Sequence, residues 1–174
     1  MTKKLFALDM DGVVSDWHSG IEQIIGYKSK NPHEHFPPHD WEIIKQAHRL
    51  FLTLPLMPHA YTTVNTARKF RANLNYELVF LTALPVYNDM PWAAWDKILW
   101  AQHHFPDIPV HFGPYAEDKQ RRSAPGNILV DDKPSNCIQC ESHGGTAIPV
   151  IINEEHKAIQ TMEELYEKKL HKFQ

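Results

Sequence analysis

The sequence has little cysteine, with two residues in a chain of 174. Cys137 and Cys140 form a C-x-x-C motif, a spacing that occurs in redox pairs and in zinc sites. A zinc site built from two such motifs would need a second cysteine pair, which this sequence does not contain. Because Pro134 is typical of the first turn of a helix, we interpret the two thiols as reduced structural neighbours on one helix.

The chain also lacks an excess of positive charge and any long apolar run. Its net charge of −3 argues against a general nucleic-acid-binding surface, although it leaves room for a local basic pocket. No segment is long and apolar enough to cross a membrane. The short apolar stretch after Lys4 runs into acidic residues without a small-residue cleavage site, so we expect the protein in the cytoplasm.

Short apolar runs that alternate with helical patterns dominate the rest of the sequence. Four runs predict strands, and a weaker run between the second and third predicts a fifth: Leu5–Leu8, Glu77–Leu81, Asn127–Val130, Ala147–Ile152 and the weaker Ile108–Phe112. This alternation predicts an α/β fold, a Rossmann-like parallel sheet flanked by helices on both faces. With 174 residues, the chain is expected to form one domain with a substantial core.

Helical periodicity is clear over residues 59–73, 92–105 and 155–171. The apolar residues of the second of these helices, which we expect to face the core, are Trp92, Trp95, Ile98, Leu99 and Phe105. Trp100 of the same helix is also interpreted as a packing residue.

Between the first two strands lies more chain than one crossover helix requires. Residues 17–58 contain a helical pattern near Ile21–Ile25, a polar proline-rich loop over 31–38 and a second helical pattern near Asp40–Leu52. We interpret this segment as a small helical cap over the strand ends, with residues 1–16 and 59–174 forming the α/β core.

Two carboxylates, Asp9 and Asp11, follow the first strand on alternate positions. Both can face one site only if the strand ends before them, and Gly12 supplies the permissive backbone for that break. Two acids this close repel one another unless a cation or a shared proton relieves them. Open α/β sheets bind their ligands at the carboxyl ends of the strands.

Further chemical groups follow the other strands. Thr82 ends the second strand, Asp131 and Asp132 end the fourth, and Lys119 lies between them in a polar loop. Taken singly, each has an ordinary explanation as a cap, a solvated charge or the acidic start of a helix. Their joint order at strand ends is much harder to obtain by chance, and it favours a catalytic site.

This combination resembles the haloacid-dehalogenase-type phosphatase superfamily, and within it the 5'(3')-deoxyribonucleotidases. The resemblance covers nearly the whole chain and implies a haloacid-dehalogenase-type core with a small cap inserted after the first strand. The motifs that carry it are D-M-D-G-V-V-S-D-W at 9–17, Thr82, P-W-x-x-W-x-K at 91–97 with H-F-P at 104–106, D-K at 118–119, and I-L-V-D-D-K-P at 128–134.

The resemblance implies a Mg²⁺-dependent hydrolase of nucleoside monophosphates. In this reading Asp9 is the nucleophile that forms an aspartyl-phosphate, and Asp11 is the general acid and base. Mg²⁺ is held by a carboxylate oxygen of Asp9, the backbone carbonyl of Asp11 and the carboxylate of Asp131. Asp132 orients metal-bound waters or the lysine from outside this ligand set. Thr82 and Lys119 bind the phosphate.

Substrate recognition is assigned to aromatic and basic residues near the cleft. Trp17 and Trp41 are candidates for stacking a base, with packing of the cap as the alternative, and Lys133 is a further substrate-binding candidate. The sequence departs from the nucleotidase pattern at Ala83, where a serine is expected, and at Lys133, where an arginine is common. These departures bear on base preference, for which we expect 2'-deoxy pyrimidine nucleotides to lead.

Other functions remain open at this point. The same chemistry could act on another small phosphate monoester or on a nucleic-acid 3'-phosphate end, although net acidity and a covering cap count against nucleic acid. A non-enzymatic metal-binding domain would be favoured by loss of Asp9 or Asp11, and both are present. The histidines His33, His35 and His39 are interpreted as solvated rather than as zinc ligands.

Overall fold

The computed structural model describes residues 3–28, 36–85, 90–113 and 115–172. In chain order the elements are β1 (Leu5–Leu8), α1 (Trp17–Ile25), α2 (Pro38–Gln46), α3 (Leu50–Thr53), α4 (Ala60–Leu74), β2 (Glu77–Thr82), α5 (Ala93–His104), β3 (Val110–Phe112), a 3₁₀ helix (Ala116–Arg122), β4 (Ile128–Asp131), α6 (Pro134–Ser142), β5 (Thr146–Pro149) and α7 (Glu155–Leu170). Within these ranges, none of the helices has the length and apolarity that crossing a membrane requires.

The strands of the described residues form one parallel sheet in the order β3-β2-β1-β4-β5. Ala7 of β1 pairs with Val79 on one side and with Leu129 on the other. Every residue of β1 is buried, as expected where helices cover both faces of a parallel sheet. The predicted α/β fold is therefore confirmed, including its weak strand near Ile108–Phe112.

The order of the strands determines where a ligand is expected to bind. From β1 the chain builds β2 and β3 on one side, and it then returns to place β4 and β5 on the other side. In such sheets the crevice lies beyond the carboxyl ends of the strands, at the point where the order reverses. That point lies between β1 and β4.

The insertion after β1 is helical, as predicted, but its second helix is broken. The prediction of one helix near Asp40–Leu52 is wrong, because α2 and α3 are separated by a turn at residues 47–49. Arg49, the residue before α3, adopts a left-handed backbone conformation, with φ of 67°, which an α-helix cannot continue through. The two ends of the insertion meet, since the backbone N–H of Asp16 donates to the carbonyl of Pro55 at 2.7 Å.

The side chains of the insertion join the main apolar core. Ile21, Ile44 and Phe51 are buried in the same cluster as Phe6 and Phe80 of the sheet. The division of the chain into a core and a cap remains a prediction. His39 is exposed, whereas His33 and His35, with most of the proline-rich loop, lie outside the described residues.

The prediction for the inward face of α5 is correct for Phe105 and Trp100, which are fully buried, and wrong for Trp95. The buried residues of this helix are Ala93, Asp96, Lys97, Trp100 and Ala101. Trp95, which we expected to pack inward, is 59% exposed. The face is set by polar contacts of buried groups that helical periodicity does not detect, including an N–H···O bond of 2.8 Å from Nε1 of Trp100 to the carbonyl of Leu54.

The last strand and the two cysteines were also predicted from the sequence. The last strand ends at Pro149 rather than at Ile152, so it is shorter than the apolar run. Cys137 and Cys140 are free and buried on α6, as predicted. Burial raises the pKa of the Cys137 thiol to about 12, so it stays protonated and unreactive at neutral pH.

Replacement of the two tryptophans on α5 tests the corrected face. Trp100→Phe removes the donor to Leu54 and leaves a gap in the core, so we expect the free energy of unfolding to fall by about 2 kcal/mol. Trp95→Phe on the exposed side is the matched control, expected to stay within about 0.5 kcal/mol. Urea unfolding measures both, and equal effects would contradict the assigned face.

Candidate active site

The ends of neighbouring strands bring the predicted residues to one place. Asp9 follows β1, Thr82 ends β2 and Asp131 ends β4. Lys119 reaches between two of them, with its Nζ 2.6 Å from Oδ2 of Asp9 and 2.8 Å from Oδ2 of Asp131. The structure therefore places the predicted lysine between the nucleophile candidate and the second acid pair.

The turn after β1 places Asp11 beside the same site. The strand ends at Leu8, and three backbone N–H groups, from Val13 to Ser15, donate to the carbonyl of Met10. The hydroxyl of Ser15 donates to Oδ1 of Asp11 at 3.0 Å. The expected break of the strand before the acid pair is therefore present.

Gly12 is required in this turn for two reasons. Its φ of 77° is unfavourable for residues with a side chain, and a Cβ at this position would lie 2.3 Å from Oδ2 of Asp132. The absence of a side chain lets the Asp132 carboxylate approach the turn that carries Asp9 and Asp11. The glycine that follows the two acids is therefore explained by the close approach of Asp132, which is far away in the sequence.

Lys119 is buried, with 2% of its side chain exposed, and it lies on the 3₁₀ helix rather than in a loop. Burial alone would lower the pKa of this ammonium group. The carboxylates of Asp131 and Asp9 outweigh burial and raise the pKa of Lys119 above its usual value. The lysine therefore remains charged inside the protein.

The pKa values of two carboxyl groups are raised as well, which for an acid favours the neutral form. Burial raises the pKa of Asp9 to about 7, Lys119 opposes the rise, and the neighbouring Asp131 and Asp11 add to it. Burial also raises the pKa of Asp132 well above its usual value, with Asp9 and Asp131 contributing. A positive charge that enters the site would stabilise the ionised form of both carboxyl groups.

The donor set fits a hard divalent cation. Asp9, Asp131 and Asp132 each offer a carboxylate oxygen, and these oxygens lie within 4.8 Å of one another. Mg²⁺ prefers oxygen ligands and keeps several waters. The assignment of Asp9, Asp131 and the Asp11 carbonyl as ligands, with Asp132 outside the set, remains a prediction, although the Asp132 carboxylate lies close enough to take part.

Two residues that the sequence reasoning did not assign to the site contact its predicted members. Lys97, with 1% of its side chain exposed, pairs with Oδ2 of Asp11 and donates to Oγ1 of Thr82 at 2.8 Å. Nδ2 of Asn136 donates to both oxygens of Asp131, at 3.0 and 3.1 Å. The sequence offered a signal for Lys97, because this residue ends the motif at 91–97 that contributes to the family resemblance. It offered no signal for Asn136.

A cleft of about 210 Å³ opens onto these groups. Trp17 and Lys133, both predicted to bind substrate, line it together with Asp9, Asp11 and Lys119. Its volume is below the ~300–1,000 Å³ typical of drug-sized ligands, so it suits a small molecule.

Trp41 is not among the residues that line this cleft. Its ring lies 6.3 Å from that of Trp17 and packs edge-on against Phe36, at 6.2 Å. Trp17 also stacks on Phe51, with ring centres 5.2 Å apart and planes 13° from parallel. Trp17 therefore has a cleft position and a rigid support, and the packing alternative fits Trp41 better.

Nearly the whole chain is similar to one known protein family. Residues 3–168 match the model of the family described as 5' nucleotidase, deoxy (pyrimidine), cytosolic type C protein (NT5C). No curated protein sequence matches the chain. Among solved structures, a hydrolase from Pseudomonas syringae is 12% identical and matches over 90% of each chain with a TM-score of 0.49, a likeness that supports no conclusion about activity.

The raised pKa of Asp9 predicts how Mg²⁺ affects stability. The folded-state pKa of about 7 lies above the usual 3.8, so the stability contributed by the Asp9 proton is lost as pH rises through 7. Because Mg²⁺ requires the carboxylate, we expect it to raise the Tm more at about pH 8 than at about pH 5. Asp9→Asn is expected to reduce both the Mg²⁺ effect and its pH dependence.

Thermal unfolding with and without Mg²⁺ measures this difference. An equal rise in Tm at the two pH values, or an Asp9→Asn protein that matches the wild type, would contradict a cation site at Asp9.

Proposed function

Since this chain belongs to the family of 5'-nucleotidases, deoxy (pyrimidine), cytosolic type C, and is thereby a phosphoric monoester hydrolase, we propose that it hydrolyses nucleoside monophosphates with Mg²⁺ through an aspartyl-phosphate on Asp9. The family match confirms the resemblance found in the sequence. The observation that carries the proposal is the buried Lys119 between Asp9 and Asp131, at the mouth of a small cleft. The family's cytosolic type supports a cytoplasmic location.

Binding of the phosphate is assigned to groups at the ends of β1 and β2. A phosphate monoester repels anionic nucleophiles, so a catalyst has to neutralise its charge before attack. Lys119 of the 3₁₀ helix and Lys97 of α5 supply two buried ammonium groups, and Thr82 at the end of β2 supplies a hydroxyl beside Lys97. Charge-assisted hydrogen bonds of this kind are about twice as strong as neutral ones.

Asp9 is positioned for nucleophilic attack. Its Oδ1 accepts a hydrogen bond of 2.7 Å from the N–H of Met10, and its Oδ2 pairs with Lys119. These contacts fix the carboxylate and favour its ionised form. In the proposed step, one carboxylate oxygen bonds to phosphorus as the ester P–O bond breaks.

Asp11 handles the protons of both steps. In the first step its carboxyl group gives a proton to the departing alkoxide. In the second step the resulting carboxylate takes a proton from the water that attacks phosphorus, and the P–O bond to Asp9 breaks. Its side chain is 27% exposed, so leaving group and water can both reach it.

Mg²⁺, held by Asp9, Asp131 and the Asp11 carbonyl with Asp132 nearby, would supply charge neutralisation at the phosphoryl oxygens. Asn136 and the N–H of Lys133 hold Asp131 in place for this role, through hydrogen bonds of 2.9 to 3.1 Å. Neighbours that orient a ligating carboxylate in this way affect metal affinity as strongly as some ligands do.

The position of Trp17 supports the choice of nucleotides over simple sugar phosphates, because its ring can stack on a base. Trp17 lines the cleft beside the phosphate-binding groups and is backed by the ring of Phe51. The family match supports a pyrimidine base, and we propose 2'-deoxy pyrimidine monophosphates as the leading substrates. Ala83 lines the same cleft where the resemblance expects a serine, so that position offers no hydroxyl to the ligand.

Asp9→Asn tests the covalent step. An amide of the same shape is not a nucleophile, so we expect kcat to fall by roughly a thousandfold or more while the protein stays folded. Asp107→Asn, a carboxylate-to-amide change at an ion pair before β3, is the control and should retain activity.

Acid quenching during turnover of a phosphate-labelled nucleotide provides the second measurement. Label should remain on the wild-type protein and be absent from Asp9→Asn. A variant with substantial turnover, or wild-type protein without bound label in every quench, would argue against the aspartyl-phosphate.

A panel of phosphate monoesters tests the substrate. We expect kcat/KM to be highest for thymidylate and deoxyuridylate, lower for deoxyguanylate and lowest for ribose phosphate, because stacking on Trp17 adds binding energy. Trp17→Ala should reduce the advantage of nucleotides by about tenfold, and Trp41→Ala should do so less, since its ring lies outside the cleft.

The same panel separates the alternatives. If kcat/KM for sugar phosphates equals that for every nucleotide, the protein is a phosphatase but not a nucleotidase. A higher kcat/KM for an oligonucleotide 3'-phosphate would indicate that the substrate is a nucleic-acid end.

A further inference from the structure

Lys97 contacts an aromatic ring of the insertion in addition to Asp11 and Thr82. Its Nζ lies 4.8 Å from the centre of the Phe51 ring, so that the ammonium group sits over an aromatic face. Phe51 belongs to α3 in the insertion and is 2% exposed. A cation over a buried ring is attracted by the negative face of the ring, more strongly where water is excluded.

The neighbouring turn of α5 is tied to the same short helix. Asp96 is fully buried, and Nε of Arg49 lies 2.7 Å from its Oδ1. Arg49 immediately precedes α3 and holds the left-handed backbone conformation described above. A non-glycine residue in that conformation costs free energy, which its surroundings have to offset.

These two contacts join consecutive residues of α5 to one short segment, residues 49–53. Asp96 is held through Arg49, and Lys97 is held through Phe51. Lys97 also contacts Asp11 and Thr82. Leaving a lysine of this length unrestrained would cost rotamer entropy each time it bound phosphate.

We propose that residues 49–53 position Lys97 for phosphoryl transfer, with Phe51 holding the ammonium group and the Arg49–Asp96 ion pair holding the helical turn that carries it. Phe51, Arg49 and Asp96 are positioning residues, since they act on the reaction through Lys97. This inference rests on the proposed function. The proposal gives the insertion a second role, the positioning of Lys97, besides the shaping of the cleft.

Removing Phe51 would also remove the support of Trp17, so truncation alone cannot isolate the effect on Lys97. Replacing Phe51 by mono-, di- and trifluorophenylalanine in the full chain weakens the negative face of the ring while nearly keeping its shape. We expect kcat/KM for thymidylate to fall stepwise, by about tenfold at three fluorines, through a lower kcat and a higher KM, because the ammonium group binds phosphate before and during the reaction.

Lys97→Met in the same series provides the decisive control. With the ammonium group gone, fluorination should no longer change kcat, because the ring has no cation to hold. A flat series in the wild-type background, or an equal slope in the Lys97→Met background, would overturn the role of Phe51. Unchanged Tm values across the series separate this effect from loss of stability.

Variants of Arg49 and Asp96 test the role of their ion pair. Arg49→Gln should lower kcat several-fold, Arg49→Lys should restore part of the loss, and neither should lower kcat further in the Lys97→Met background. Asp96→Asn serves as a second variant if Arg49→Gln does not fold. Effects on kcat that simply add to that of Lys97→Met would overturn the positioning role.

Affinity for inorganic phosphate, measured by calorimetry, gives a readout without turnover. The dissociation constant should rise along the fluorinated series in step with the loss of kcat. Phosphate affinity that varies in a protein without hydrolysis would overturn the proposed function and support the positioning role. A protein that neither hydrolyses monoesters nor binds phosphate would overturn both.

Discussion

The buried ion pairs of Lys119 connect the ends of two neighbouring strands. Without this ammonium group, Asp9 and Asp131 would place two carboxylates side by side in the interior, at a cost of several kcal/mol. With it, the residues that follow β1 and β4 are drawn together. The turn at Gly12, the approach of Asp132 and the position of the cleft all depend on that closeness.

The balance of charge around this lysine accounts for much of the site's chemistry. Asp9, Asp11, Asp131 and Asp132 bring two more charges than Lys97 and Lys119 neutralise, and the difference equals the charge of one divalent cation. Burial turns that difference into raised pKa values at Asp9 and Asp132. The site is thus built to accept either protons or a metal ion, and the two compete.

Much of the site could be predicted from the sequence because its markers are local. An apolar run that stops at Asp9 or Asp131 marks both a strand and its end. Lys97 behaves differently, since a charged residue on an amphipathic helix normally faces water. Its burial depends on partners far away in the chain, Asp11 and Phe51, and periodicity therefore placed Trp95 inside and did not detect the burial of Lys97. The break between α2 and α3 has a similar cause, since the turn at Arg49 reaches a partner on another helix.

The hydrogen bond between Asp16 and Pro55 has a consequence for how such proteins diversify. Because the two ends of the insertion are held together, a segment of different length between them can keep the same entry and exit points, provided that it still fills the shared core. Phe51 and Arg49 limit this freedom. A replacement segment would have to bring its own aromatic ring and guanidinium to α5 to keep Lys97 in the same position.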